Sequence, residues 1–156
     1  MQVVKFDECT ETLQPIRFND GEEVTLQLVK QILQEKFDSH GISVDIQNDQ
    51  LKSGGLFSST MEDCLTITNS EHRNNYYRYL ILLKRQGSFA FLNFFIFGSS
   101  KQINNLSNAE ILMQGKSGVG GWIMKGIANI GVNQSKVHEE QLYYESVASI
   151  IKEAFI

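Results

Sequence analysis

Apolar residues recur along the chain with two different periods, and these separate predicted helices from predicted strands. From Glu22 to Phe37 they recur at steps of three and four residues, which is typical of a helix with one buried face. Asp20 and Glu23 have the spacing of a capping box at its start, and Gly41 stands where the end of a helix favours positive φ. Helical spacing returns from Lys136 to Ala154, which predicts a second amphipathic helix.

Shorter segments follow the two-residue period of strands. Ile42 to Gln47 alternates apolar and polar residues, and Asn48-Asp49 predicts a turn that ends this strand. The glycines and serines from Ser53 to Ser59 predict a loop. Further strands are predicted at 2–6, around Ile16 and Phe18, at 50–52 and at 63–68.

The most strongly patterned segment is a predicted hairpin from Tyr76 to Phe97 that turns at Gln86-Gly87. Its first face carries Tyr77, Tyr79, Ile81 and Leu83 opposite Ile96, Phe94, Leu92 and Ala90. Its second face carries Tyr76, Arg78, Leu80, Leu82 and Lys84 opposite Phe97, Phe95, Asn93, Phe91 and Phe89. The first face is apolar and is predicted to lie in the core, whereas the second is aromatic but interrupted by charge.

Together these elements predict one α+β domain over residues 1–156. It consists of an antiparallel β-meander, an N-proximal amphipathic helix and a C-terminal helix packed on the sheet. A chain of 156 residues that is 42% hydrophobic can bury a core without disulfides or a structural metal. On topology alone, from Glu22 to Phe155, the order of elements resembles the secretion-chaperone-like folds. That resemblance implies a protein-binding module.

Charge and cysteine content narrow the classes of partner and compartment. The net charge of −4 argues against a nucleic-acid partner, which would require a strongly basic local patch. The two cysteines, Cys9 and Cys64, lack the spacing of a zinc site and favour a reducing environment. The first residues contain the acidic pair Asp7-Glu8 in place of an apolar leader, so a cytoplasmic location is expected.

No motif in the chain predicts catalysis, a cofactor or a metal. Gly115-Lys116-Ser117 matches the end of a phosphate-binding loop, but Glu110 occupies the position of its first glycine. His138-Glu139-Glu140 begins like a zinc-protease helix, but Leu142 replaces the second histidine. The sequence therefore assigns no catalytic, cofactor-binding or metal-binding residue.

Two surfaces are predicted to meet partners. The first is the mixed face of the hairpin, with Arg78, Phe89, Phe91, Phe95 and Phe97, and the second is the glycine-rich segment 115–131 around Trp122. The leading hypothesis is a non-enzymatic protein-interaction module, with self-association to a homodimer or contact with another protein. Two alternatives remain open: a membrane-peripheral protein that uses Trp122, and a ligand-binding protein or enzyme with a pocket under the glycine-rich segment.

Overall fold

A computed structural model of the chain describes residues 1–71, 77–98 and 134–155. It contains two compact units, one of residues 1–99 with 150–156 and one of residues 100–149. The glycine-rich segment 115–131, with Trp122, lies outside the described residues. The single-domain assignment stays a prediction.

Within the described residues, seven strands form one sheet, one α-helix lies between the third and fourth strands in sequence, and a second α-helix follows the last strand. The strands are β1 (Val3–Lys5), β2 (Cys9–Thr12), β3 (Ile16–Phe18), β4 (Val44–Gly55), β5 (Ser58–Asn69), β6 (Tyr77–Gln86) and β7 (Phe89–Gly98). The helices are α1 (Leu26–Ser39) and α2 (Gln134–Phe155). Every pairing is antiparallel except that of β1 with β4. The predicted α+β class is confirmed.

The sheet curls because one N-terminal segment occupies both of its edges. The strand order is β1-β4-β5-β6-β7-β2, with β3 also on β7. Flat strands in this order would hold β1 and β2 roughly 24 Å apart at the usual spacing between neighbours. A single 3-10 turn, Phe6–Glu8, joins them, and the chain from Lys5 to Cys9 can span at most about 14 Å. The two edges must therefore approach each other.

Helix α1 begins later than its capping-box pattern predicts. Its N-cap is Thr25, whose Oγ1 accepts a hydrogen bond from the Leu28 amide at 3.1 Å. The preceding residues are held by tertiary contacts, because Gly21 N donates to Ser88 O and the Arg85 guanidinium donates to the carbonyls of Gly21 and Val24. The predicted end is confirmed, since Gly41 follows the helix with a φ of 66°.

Strand β4 continues through the predicted turn at Asn48-Asp49, so that prediction is wrong. Asp49 lies in the middle of the strand opposite Cys64 and is only 2% exposed. Its carboxylate accepts hydrogen bonds from Thr66 Oγ1 at 2.5 Å and from the Gln2 amide at 2.6 Å. A buried aspartate is tolerated here because partners from two other strand regions satisfy it.

The β6–β7 hairpin turns one residue later than predicted. Gln86 pairs with Phe89, so the turn residues are Gly87 and Ser88, and Gly87 has a φ of 57°. The predicted register is therefore wrong by two positions, with Tyr79 opposite Ile96 instead of Phe94. A shift by an even number leaves every side chain on its predicted face. On the first face, Leu83 is half-buried and the other described residues are buried as predicted: Tyr79, Ile81, Ala90, Leu92, Phe94 and Ile96.

The end of the chain meets the end of α1. The Lys36 ammonium and the His40 ring each contact the Glu153 carboxylate, at 3.3 and 3.0 Å. The Phe155 ring packs edge-on against Phe18 of β3, with centroids 6.3 Å apart. That the whole C-terminal helix packs on the sheet stays a prediction.

Candidate interaction site

The β4–β5 hairpin extends beyond the sheet that carries it. Its strands pair continuously from Val44 with Asn69 to Gly55 with Ser58. Among the described residues, however, β1 pairs only with Gln50–Lys52 of β4, and β6 pairs only with Cys64–Ile67 of β5. Residues 53–60 therefore form a two-stranded ribbon without lateral strands, an arrangement that is marginally stable by itself.

Two large apolar side chains occupy the turn of this ribbon. Leu56 and Phe57 are fully exposed, and Met61 on β5 is half exposed. Gly54, with a φ of 103°, precedes them, and a Cβ there would collide with the carbonyl oxygen of Ser58. Single exposed apolar residues are common on proteins, whereas here two adjacent ones lie at a projecting turn, which makes this turn a candidate contact site. We call residues 53–61 the hairpin tip.

Charges of both signs lie behind the hairpin tip, and Asp63, opposite Gln50, is on the same face as Lys52. On one face, pairing across β1, β4 and β5 places Lys5, Lys52 and Met61 in a single row. On the other face, the Lys84 ammonium is bound to the Glu62 carboxylate. Residues 53–61 contain no charged side chain.

The predicted aromatic surface is largely occupied by the protein itself. Phe95 and Phe97 are buried in a cluster with Val4, Leu51, Cys64, Leu80 and Leu82. Phe91 is half-buried, and Phe89 is partly exposed with the Arg17 guanidinium 5.4 Å from its ring centroid. Arg78 is half-buried, and its Nε has no hydrogen-bond partner among the described residues. An interaction role for this face stays a prediction, and its exposed part is the end at Phe89.

The buried thiol of Cys64 lies in the same cluster, which covers what we call the inner face of the curled sheet. Burial, and then the carboxylates of Asp49 and Asp63, raise the pKa of Cys64 to about 12, although Arg78 acts in the opposite direction. A thiol with so high a pKa carries almost no thiolate at neutral pH. Cys64 therefore does not supply a nucleophile.

An acidic cleft lies beside the start of α1. It has a volume of about 410 Å³ and is lined by Asp20, Glu22, Glu23 and Ser88. Within residues 1–71, 77–98 and 134–155, no three His, Cys, Asp or Glu side chains are grouped so as to hold a metal ion. Its lining residues are three carboxylates and the Ser88 hydroxyl, with neither a histidine nor a cation among them, so we assign it no chemistry.

Sequence reasoning placed the hairpin tip in a loop and missed it as a surface. The available indication was Leu56-Phe57, two bulky apolar residues inside a run of glycine and serine. Such a pair in a turn has no neighbouring core positions at helical or strand spacing, which favours exposure.

Comparisons with known proteins found no match to a protein family, a curated protein or a solved structure. In the part of the chain that the structure describes, no helix is both long and apolar enough to cross a membrane.

Proposed function

We propose that this chain is a non-enzymatic interaction module that binds its partner through the hairpin tip. One observation carries the proposal: Leu56 and Phe57 are fully exposed at the end of a ribbon that extends past its neighbouring strands. Binding energy concentrates in a few large apolar side chains that lose contact with water. A projecting turn presents two such side chains at once.

The contact element in this proposal differs from the aromatic face that the sequence suggests. Phe95 and Phe97 already fill the inner face of the curled sheet, so they are not available without unfolding it. The free thiols of Cys9 and Cys64 support a reducing compartment, and we propose a cytoplasmic location on that basis.

Photocrosslinking from the hairpin tip tests the proposal. A benzophenone amino acid placed at Phe57 in living cells reacts with C–H bonds of whatever molecule covers that position, whether protein or lipid. The matched control carries the same group at Leu28, which is also apolar and exposed but lies on α1. We expect a discrete crosslinked product from position 57 and none above background from position 28.

Equal labelling from the two positions, or no product from position 57, would show that the tip is not a contact surface. A product containing a second copy of this chain would support the self-association hypothesis. A product with a different protein or with lipid would support the same module with another partner.

A further inference from the structure

We infer that the chain forms a twofold-symmetric dimer in which the free edge of β4 pairs with the same edge of a second copy. Among the described residues, β1 covers the outer edge of β4 only at 50–52, and residues 44–49 have no strand beside them there. Unpaired backbone groups along a strand edge form a template for another strand. An extended chain segment is therefore the kind of partner that this edge fits.

The backbone groups that point outward from this edge belong to alternate residues. The Gln50 amide donates to the Gln2 carbonyl at 3.0 Å, so the backbone of Gln50 faces the outer side of β4. Because backbone groups alternate in direction along a strand, those of Val44, Ile46 and Asn48 face the same side. Each of these residues offers one donor and one acceptor to a neighbouring strand.

This edge lacks the features that usually keep strands of different molecules apart. At the opposite end of the sheet, β2 is short, and a bulge between Cys9 and Glu11 interrupts its pairing with β7. By contrast, residues 44–49 pair with β5 in an unbroken register and contain neither proline nor lysine. Exposed edges are normally shortened, bulged or protected by charge. Of the charges here, the Asp49 carboxylate is buried and bound within the chain.

The residues of the edge complement a second copy of themselves in one antiparallel register. An alignment centred on Ile46 brings the outward backbone groups of the two copies opposite each other. It places Asp45 of one copy opposite Gln47 of the other. The Gln47 side-chain amide donates to Asp45 within one chain at 2.6 Å, and the same bond can form twice across the twofold axis. An alignment centred on Asp45 would oppose two aspartates, which is unfavourable.

The dimer leaves the hairpin tips separate. The free edge and the tip lie at opposite ends of β4, so antiparallel pairing points the two tips away from each other. The inference is therefore independent of the proposed function. Met1, which continues β1 toward Asn48, has to move aside for the second strand, and its side chain is 86% exposed.

Sedimentation equilibrium of the full chain over a range of concentrations tests the inference. We expect a reversible equilibrium between monomer and dimer. Asn48→Pro should raise the dissociation constant at least about tenfold, because proline removes an outward amide hydrogen, and it is tolerated where that hydrogen faces away from the sheet. Asn48→Ala is the matched control, since it keeps the hydrogen and should leave the constant within about twofold of the wild-type value.

Charge substitutions test the same pairing without a change in the backbone. Gln47→Asp opposes two pairs of carboxylates and should raise the dissociation constant at least about threefold, whereas Gln47→Lys opposes unlike charges and should lower it by a similar factor. The same two substitutions at Gln31, which is exposed on α1, change the net charge equally and should not alter the constant.

Disulfide trapping tests the register. Asp45 and Gln47 would face each other at a position where Cα atoms are about 4.5 Å apart, which a disulfide can span. Chains with Asp45→Cys and chains with Gln47→Cys, all carrying Cys9→Ser, are mixed and treated with oxidised glutathione. We expect the two kinds of chain to crosslink to each other, and each kind alone to crosslink at least about tenfold less.

The results distinguish this inference from the proposed function. A strict monomer at every concentration, or a dimer that Asn48→Pro and the Gln47 substitutions leave unchanged, overturns the inference. Loss of the dimer only when Leu56 and Phe57 are replaced by serine would also overturn it and would assign self-association to the hairpin tip. Circular dichroism and urea unfolding verify that each variant is folded, and the Gln47 substitutions decide the outcome if Asn48→Pro is not.

Discussion

Asp49 shows how one residue can contradict its local sequence preference. Asn and Asp in succession favour a turn, because their side chains bond their own backbone. Here the Asp49 carboxylate is instead bound by Thr66 of the neighbouring strand and by the Gln2 amide just before β1. The residue therefore links three parts of the sheet, which explains why it stays buried.

Replacement of Asp49 by alanine should lower the free energy of unfolding by about 1–3 kcal/mol, because the buried Thr66 hydroxyl and the Gln2 amide lose their acceptor. Urea unfolding followed by circular dichroism measures the loss. Asp45→Ala is the matched control, since the Asp45 carboxylate accepts an exposed hydrogen bond from the side-chain amide of Gln47 near the start of the same strand. Equal losses in the two variants would contradict a special role for Asp49.

Cys64 should be protected from thiol reagents in the folded chain. Its pKa of about 12 leaves it neutral, and it is 1% exposed, whereas Cys9 is half-buried. We expect Cys9 to react with a disulfide reagent at neutral pH and Cys64 to react only after unfolding. Comparison of Cys9→Ser with Cys64→Ser assigns the two rates. Rapid labelling of Cys64 in the folded protein would show that its site is open.

The same shift makes stability depend on alkaline pH. The pKa of Cys64 in the folded protein exceeds the ordinary value of 9.0. The contribution of the neutral thiol to the free energy of unfolding is therefore complete below pH 9 and is lost as pH rises toward 12. In that window the unfolded thiol ionises first, which lowers the free energy of unfolding by up to about 1.4 kcal/mol per pH unit. Cys64→Ala should show a shallower slope than the wild type in urea unfolding between pH 9 and 10.5.

At the scale of the element, neighbouring glycines in the hairpin tip should respond differently to a methyl group. Gly54→Ala forces a side chain into positive φ and against Ser58, whereas Gly55→Ala meets nothing within 4 Å. We expect Gly54→Ala to open the ribbon locally, with amide hydrogen exchange at 58–60 at least about fivefold faster. Gly55→Ala should exchange like the wild type. Unchanged protection in both variants would indicate that the ribbon does not require this turn.

The spacing of apolar residues predicts the positions of some elements better than those of others. The faces of the β6–β7 hairpin follow from alternation, and they remain correct although Gly87-Ser88 replaces the predicted turn. The predicted start of α1 is wrong because Arg85 and Ser88, more than sixty positions away in sequence, form hydrogen bonds that hold residues 21–24 outside the helix. Strand β2 was missed because Cys9–Thr12 is a short, mostly exposed edge strand without an apolar alternation.

At the scale of the whole molecule, the curl of the sheet depends on the N-terminal segment. Val4 is 1% exposed and contributes to the inner cluster, whereas its neighbour Val3 is half exposed on the other face. Val4→Ala should lower the free energy of unfolding by about 2 kcal/mol, and Val3→Ala should change it by less than about 0.5 kcal/mol. Chemical denaturation of both variants checks this. Similar values would mean that β1 is not part of the core.

The contact of Glu153 with Lys36 and His40, at the C-terminal ends of the two helices, should weaken as the pH becomes acidic. The hydrogen bond from Lys36, followed by the charge of His40, lowers the pKa of Glu153 below 4.5. A lowered folded pKa gives stabilisation that is present above 4.5 and is lost as pH falls through the folded value. The Tm difference between wild type and Glu153→Gln should be small at neutral pH and vanish in acid. Glu145→Gln, at an exposed position of α2, should show no such trend.

Local pattern was sufficient for the presence of two helices, for the two faces of the β6–β7 hairpin and for the α+β class, because each depends on spacing between residues close in the chain. It could not give the burial of Phe95 and Phe97 on the inner face, since that follows from β1 and β2 meeting opposite edges of the sheet. Nor could it show that β4 and β5 extend past their neighbours. How far a ribbon projects depends on where other strands stop, and this is a property of contacts between distant residues that no local period encodes.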